Sequence, residues 1–96
     1  MLDIKKTSTF KKDFIKRKDN IDIAVFKDIL NHLVNEHQLP KEYTDHPLRG
    51  YKKNEKIREC HLEPDLLLIY QKKDEYLLLE RIGSHSELFK KKNKKK

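Results

Sequence analysis

A chain of 96 residues, with 41% charged and 35% hydrophobic side chains, has room for one domain around one small core. Folding at this size buries only about 60% of the surface the unfolded chain exposes, so a bound partner adds useful stability. The single cysteine, Cys60, excludes an internal disulfide framework, and the chain has neither a signal-peptide pattern nor an apolar run of about 18 residues; the expectation is a soluble cytoplasmic protein with no membrane partner.

In chain order, Leu2 and Ile4 alternate with polar neighbours and predict a short strand. Thr7 or Ser8 can cap a helix that places Phe10 and Phe14 on one face among lysines. Asp19, Asn20 and Asp22 break it. A second helix carries Phe26, Ile29, Leu30, Leu33 and Val34 at helical spacing and ends before Pro40. Residues 38–56, with Pro40, Pro47 and Gly50, read as loop. Three strands follow at 57–62, 66–70 and 76–82. The middle one is continuously apolar, as a central strand covered on both faces would be. Glu63-Pro64-Asp65 and Lys73-Asp74-Glu75 are short enough to join them as antiparallel hairpins. Helices segregated from strands predict an α+β domain over residues 1–89. Its two N-terminal helices would pack on one face of a mainly antiparallel sheet of about four strands.

The charge is uneven. Of the net +7, six lysines lie in residues 90–96, a low-complexity tail read as disordered, so the first 89 residues hold 17 basic against 16 acidic side chains. Within that near-neutral body, Lys5, Lys6, Lys11, Lys12, Lys16, Arg17 and Lys18 face Asp13 alone. Arg49, Lys52, Lys53, Lys56 and Arg58 face Glu55 alone. Such clusters suit nucleic acid or an acidic protein segment, and they equally suit a solvated surface.

Three histidines, His46, His61 and His85, fall at loop or strand-end positions with carboxylates or hydroxyls beside them. Imidazole exchanges a proton near neutral pH. Metal-independent RNA cleavage needs a base for the ribose 2′-hydroxyl, an acid for the departing 5′-oxygen and a cation for the phosphoryl oxygens. The three histidines with Glu59, Asp65 and Arg81 contain those groups. No paired-cysteine motif accompanies Cys60, and adjacent strand residues Cys60 and His61 point to opposite faces, so no metal site and no cofactor are expected. His32 and His37, at the end of the second helix, are read as structural. Phe89 is either a core residue or a surface on which a base stacks.

The run Arg58-Glu59-Cys60-His61-Leu62-Glu63-Pro64-Asp65, the ending Arg81-Ile82-Gly83-Ser84-His85-Ser86-Glu87-Leu88-Phe89 and the loop Asp45-His46-Pro47-Leu48 together resemble the signature of the YafQ-like toxins of the RelE superfamily. The resemblance implies a fold like that of the microbial ribonucleases and cleavage of messenger RNA, typically on the ribosome, without metal. It also implies a cognate antitoxin that inactivates the toxin, with operator DNA contacted only through their complex. It places His46, His61, Asp65, His85, Glu59 and Arg81 in the catalytic site; the roles we expect there are His85 as general acid and Glu59 or Asp65 as base. Phe89, Lys52, Lys53 and Arg58 are the expected substrate contacts. Leu66 stands where some relatives have tryptophan and Glu59 where some have aspartate. The competing readings are a noncatalytic nucleic-acid-binding module and a toxin that has lost activity.

Overall fold

The computed structural model describes residues 1–48 and 56–89. Among them, strand β1 (Asp3–Lys6) leads into helix α1 (Ser8–Arg17), a 3₁₀ turn at Lys18–Asn20 and helix α2 (Ile23–Val34). A second 3₁₀ turn at Lys41–Tyr43 precedes β2 (His46–Pro47), β3 (Ile57–Glu63), β4 (Leu66–Lys72), β5 (Tyr76–Gly83) and the four-residue helix α3 (His85–Leu88). The strands form one sheet in the order β1-β5-β4-β3-β2. β1 pairs with β5 in parallel, and every other pairing is antiparallel.

Local chemistry accounts for the boundaries. The Thr7 hydroxyl accepts the Phe10 N–H and caps α1, and Asp22 accepts from Ala24 and Val25 to cap α2. Phe10 and Phe14 stack on the face of α1 that meets Phe26 of α2. This helix pair covers one side of the sheet. There Phe10, Phe26, Ile29, Leu33 and Val34 pack on Cys60, Leu62, Leu66, Leu68, Tyr70, Leu77, Leu79 and Ile82. The opposite face of β4 carries a smaller cluster of Ile57, Leu67, Ile69 and Leu88, flanked by Leu48 and Phe89. β4 is therefore central and covered on both faces, as its unbroken apolar run predicts.

One expectation changes. The sheet is mainly antiparallel, as expected, with β1–β5 its parallel pairing, but it has five strands rather than about four. The extra strand, β2, lies inside the segment read as loop; two residues ending in proline give no alternation to read, and proline is tolerated there because β2 is an edge. The other edge, β1, is exposed along its length, with Ile4 40% exposed beside α1 rather than buried by alternation. Gly50, Lys52 and Lys53 lie outside the described residues, as does the tail at 90–96.

Candidate functional site

The sheet face opposite α1 and α2 gathers most of the singled-out polar residues at one end. β2 sets His46 directly across from Glu59 on β3. Glu59 and His61, two apart on β3, share that face. β4 continues the row with Leu67 opposite His61, and β5 with Gly83 opposite Leu67. Just past Gly83 the chain turns into α3, whose first residue is His85. Four rings thus stand in succession: His46 to His61 at 6.3 Å between centroids, His61 to His85 at 5.8 Å, and His85 to Phe89 at 6.3 Å.

Two carboxylates hold the rings. Glu59, with its side chain 8% exposed, lies beneath the first pair; its Oε2 is 2.9 Å from His46 Nε2 and 3.5 Å from His61 Nε2. Its Oε1 is buried and has no hydrogen-bond partner. Asp65, in the β3–β4 turn, lies 2.7 Å from His85 Nδ1 and accepts the His85 backbone N–H at 3.0 Å. These two hydrogen bonds, the backbone one foremost, hold the Asp65 carboxyl below its usual range. With Nδ1 held by Asp65, Nε2 is the His85 nitrogen free to meet a substrate; the ring is 52% exposed.

The placement of His85 is itself well anchored. The Ser84 hydroxyl accepts the Glu87 N–H while the Glu87 carboxylate accepts the Ser84 N–H, a reciprocal capping box. Arg17 of α1 donates to the same carboxylate at 2.8 Å and Lys16 pairs with it at 3.4 Å. The Ser84 N–H, aided by Arg17 and Lys16, pulls the Glu87 carboxyl down to about 2. Gly83 leaves room for this helix, because a Cβ there would meet Glu87 Oε1 at 3.0 Å and Leu88 Cδ2 at 3.1 Å. Sequence reasoning passed over Arg17 and Glu87 as anchors, although the Ser84-x-x-Glu87 spacing is a capping-box signature.

His46, Glu59, His61, Asp65, His85 and Phe89 are therefore brought together. Two other expected residues are not part of the row. The Arg81 guanidinium forks onto Asp13 of α1, with both bonds at 3.0 Å, and Asp13 also accepts the Ile82 N–H where β1 no longer covers the β5 edge. Arg58 alternates to the helix side of β3, where it forks onto Asp45 at 3.2 and 3.1 Å beside Tyr70. That partner holds Arg58 above its ordinary pKa and, with burial, pushes the Tyr70 hydroxyl up. Strand alternation thus turns the Arg58 side chain away from the face that carries His61. Cys60 also points into the helix-side core, as expected from its neighbour's orientation, and burial raises its thiol pKa.

The chain is a bacterial toxin of the type II toxin–antitoxin class. The model of one such family, YafQ, matches residues 2–90, and the chain belongs to that family. It is 38% identical over 89 residues to the mRNA interferase toxin YafQ of Escherichia coli K12, across 91% of this chain and 95% of that protein. Among solved structures, the E. coli DinJ–YafQ complex superposes with a TM-score of 0.82 at 36% identity, covering 93% of this chain and 99% of the other. A metal-bound toxin from Helicobacter pylori superposes with a TM-score of 0.82 at 47% identity, covering 93% and 100%. No described helix is long and apolar enough to cross a membrane.

Proposed function

We propose that this toxin is an endoribonuclease that cuts messenger RNA, on the ribosome, by attack of the ribose 2′-hydroxyl on the neighbouring phosphorus, with protein side chains moving the protons. The observation that carries this reading is the convergence of three imidazoles and two carboxylates on one exposed sheet end. His85, held at Nδ1 by Asp65, presents Nε2 as the acid that protonates the leaving 5′-oxygen. Asp65 is committed to His85, so the proton from the 2′-hydroxyl is taken within the Glu59–His46–His61 group, where the buried carboxylate steadies the rings. Phe89, 6.3 Å from His85 between ring centroids, offers a stacking face for a base. Arg81 stabilises the phosphoryl oxygens if it turns from Asp13, which makes its contribution depend on a partner exchange. Lys52 and Lys53, outside the described residues, keep the role of phosphate contacts that the sequence gives them.

A cognate antitoxin completes the system, as DinJ does in the E. coli complex. An apolar groove of about 460 Å³ between β1, α1 and α2, lined by Ile4, Phe10, Phe14, Ile15 and Leu30 with Lys6 and Lys11, suits an amphipathic acidic segment of that partner. The complex, rather than the toxin alone, then contacts operator DNA.

Single-turnover cleavage on programmed ribosomes tests the chemistry. His85→Ala lowers the rate by about 10²–10⁴-fold while RNA binding persists, and products carry a 5′-hydroxyl. Products carrying a 5′-phosphate would contradict 2′-hydroxyl attack. A folded His85→Ala protein that cuts at the parental rate would instead support the noncatalytic reading for this ring.

A further inference from the structure

We propose that Asp45, Arg58 and Tyr70, on the helix side of the sheet, are positioning residues that set the His46 ring against Glu59 on the opposite face. Their effect on rate rests on the cleavage chemistry proposed above; their effect on the ring does not.

The backbone of β2 holds His46 weakly. The strand is two residues long and lies at the sheet edge, and its second residue, Pro47, has no N–H to give to β3. The Leu48 N–H donates to the Ile57 carbonyl at 2.9 Å, one step beyond the strand. The ring is nevertheless closely placed, with Nε2 2.9 Å from Glu59 Oε2 and Nδ1 3.0 Å from the Pro47 carbonyl. A side chain 44% exposed on so short an edge needs another restraint.

Alternation supplies it. Successive side chains of an extended segment point to opposite faces, so His46 faces Glu59 while Asp45, just before it, faces the helix side. There Asp45 accepts from Arg58 Nε at 3.2 Å and Nη2 at 3.1 Å, and from the Tyr70 hydroxyl. A forked guanidinium–carboxylate pair fixes direction as well as distance. Arg58 and Tyr70 are register partners on β3 and β4, so the lock runs from the sheet edge to its central strand. Tyr70 is 2% exposed within the helix-side core and cannot shift without repacking it. Burial and the Asp45 carboxylate push its hydroxyl pKa up, so it remains a donor at neutral pH.

The chain before Asp45 is pinned too. Thr44 has a φ of 47°, in the left-handed region that a β-branched residue adopts only where its surroundings impose it. Its N–H donates to the Lys41 carbonyl at 2.9 Å, and the neighbouring Tyr43 hydroxyl donates to Asp28 of α2 at 2.7 Å. His46 thus follows, by a single Cα step of about 3.8 Å, a residue tied to both α2 and β4. A slack lock lets β2 drift, and the ring loses its alignment with Glu59 and His61. A misplacement of about 1 Å can cost a reaction about 10²-fold.

The test uses the full-length toxin. Tyr70→Phe removes one hydroxyl and keeps the buried ring; Asp45→Asn keeps the shape and removes the charge. Histidine ring resonances of the free toxin are read by NMR, and single-turnover cleavage and RNA affinity are read separately. Both variants should shift the His46 resonances and leave those of His85, held by Asp65, in place. Cleavage should slow by about 10–10²-fold, with RNA affinity kept within about twofold. In a His46→Gln background, Tyr70→Phe should change the rate by less than about twofold, because residues acting through one group are not additive. Glu36→Gln breaks the exposed pair with Lys72 in the same helix-side cavity and should leave the rate unchanged. Thermal melts confirm folding, and Tyr70→Phe serves alone if Asp45→Asn does not fold. Unchanged His46 resonances in a folded variant would overturn the positioning role. So would a rate loss equally large with and without His46, which is general weakening of the fold, or a loss of RNA affinity that accounts for the whole rate loss. A parent that never cuts RNA, yet whose His46 resonances move in the variants, would defeat the nuclease reading and leave the lock on the ring standing.

Discussion

Glu87→Gln separates the charge at the base of α3 from the shape of its cap. Glutamine can still accept from the Ser84 N–H at the third helical position, but it cannot pair as an anion with Arg17 and Lys16. The Glu87 carboxyl is held at about 2 against an ordinary 4.5. A shift of that size, fully felt, would correspond to about 3 kcal/mol. The largest cause of that shift is the Ser84 N–H bond, which glutamine keeps, and the side chain is still 31% exposed, so the retained bond and solvent screening together reduce the expected loss to about 1–2 kcal/mol. Because the folded pKa is depressed, this stabilisation is complete above 4.5 and disappears as pH falls through about 2. The loss should appear in global unfolding. Leu88, 6% exposed, locks α3 against Ile57, Leu67 and Ile69, so the helix comes away with the sheet. Denaturant unfolding of parent and variant across this pH range gives a difference curve in which the shared carboxylates cancel. The curve should be about 1–2 kcal/mol at neutral pH and close to zero near pH 2. A gap that is absent at neutral pH, or unchanged down to the lowest pH, would refute the anchoring role of Arg17 and Lys16.

Leu67→Ala removes a fully buried side chain beneath the row of rings and should cost about 2–5 kcal/mol by thermal or denaturant melts; a loss under about 1 kcal/mol would mean that this face of β4 is not packed as described. Cys60, 0% exposed with its thiol pKa raised by burial, should resist alkylation in the native toxin and react once denaturant unfolds it. Ile15→Asp, at a side chain 68% exposed on the apolar groove, should leave the toxin's stability nearly unchanged and weaken its antitoxin complex by at least about tenfold; equal affinity would remove the groove from the interface. Truncation after Phe89 removes six lysines, so RNA binding should weaken and its dependence on salt flatten, read from affinities across a salt series.

The parts of the fold that were legible in the sequence are those where burial imposes a period. α2 shows its apolar stripe from Phe26 to Val34, and β4 its unbroken run, because each must fill one side of a core. The hairpin turns were legible for a local reason: Glu63-Pro64-Asp65 and Lys73-Asp74-Glu75 leave too few residues for any crossover connection. β2 was not legible. Two edge residues bury nothing that would set a pattern, and their pairing with Glu59 and Arg58 is a long-range choice. The parallel pairing of β1 with β5 was hidden for the same reason, since it joins the two ends of the chain.

The functional site divides along the same physical line. His46, His61 and His85 stand out because imidazole beside carboxylates is chemically conspicuous wherever it occurs, and alternation along β3 already puts Glu59 with His61 and turns Cys60 away. That same alternation sets Arg58, at an even step from Cys60, on the helix side before any partner is known. The partnerships of Arg81 and Glu87 are of another kind. Asp13 and Arg17 lie 68 and 70 residues away in sequence from the groups they hold, and both lie on α1, within the basic segment that reads in the sequence as a polyanion-binding or merely solvated surface. α1 therefore has two roles. Its apolar face packs on the core, and its Asp13 and Arg17 clamp the β5–α3 corner that carries His85. A substitution on the polar side of α1 can accordingly change the placement of the proposed acid without touching RNA, and charge counting alone would mistake that effect for lost RNA binding.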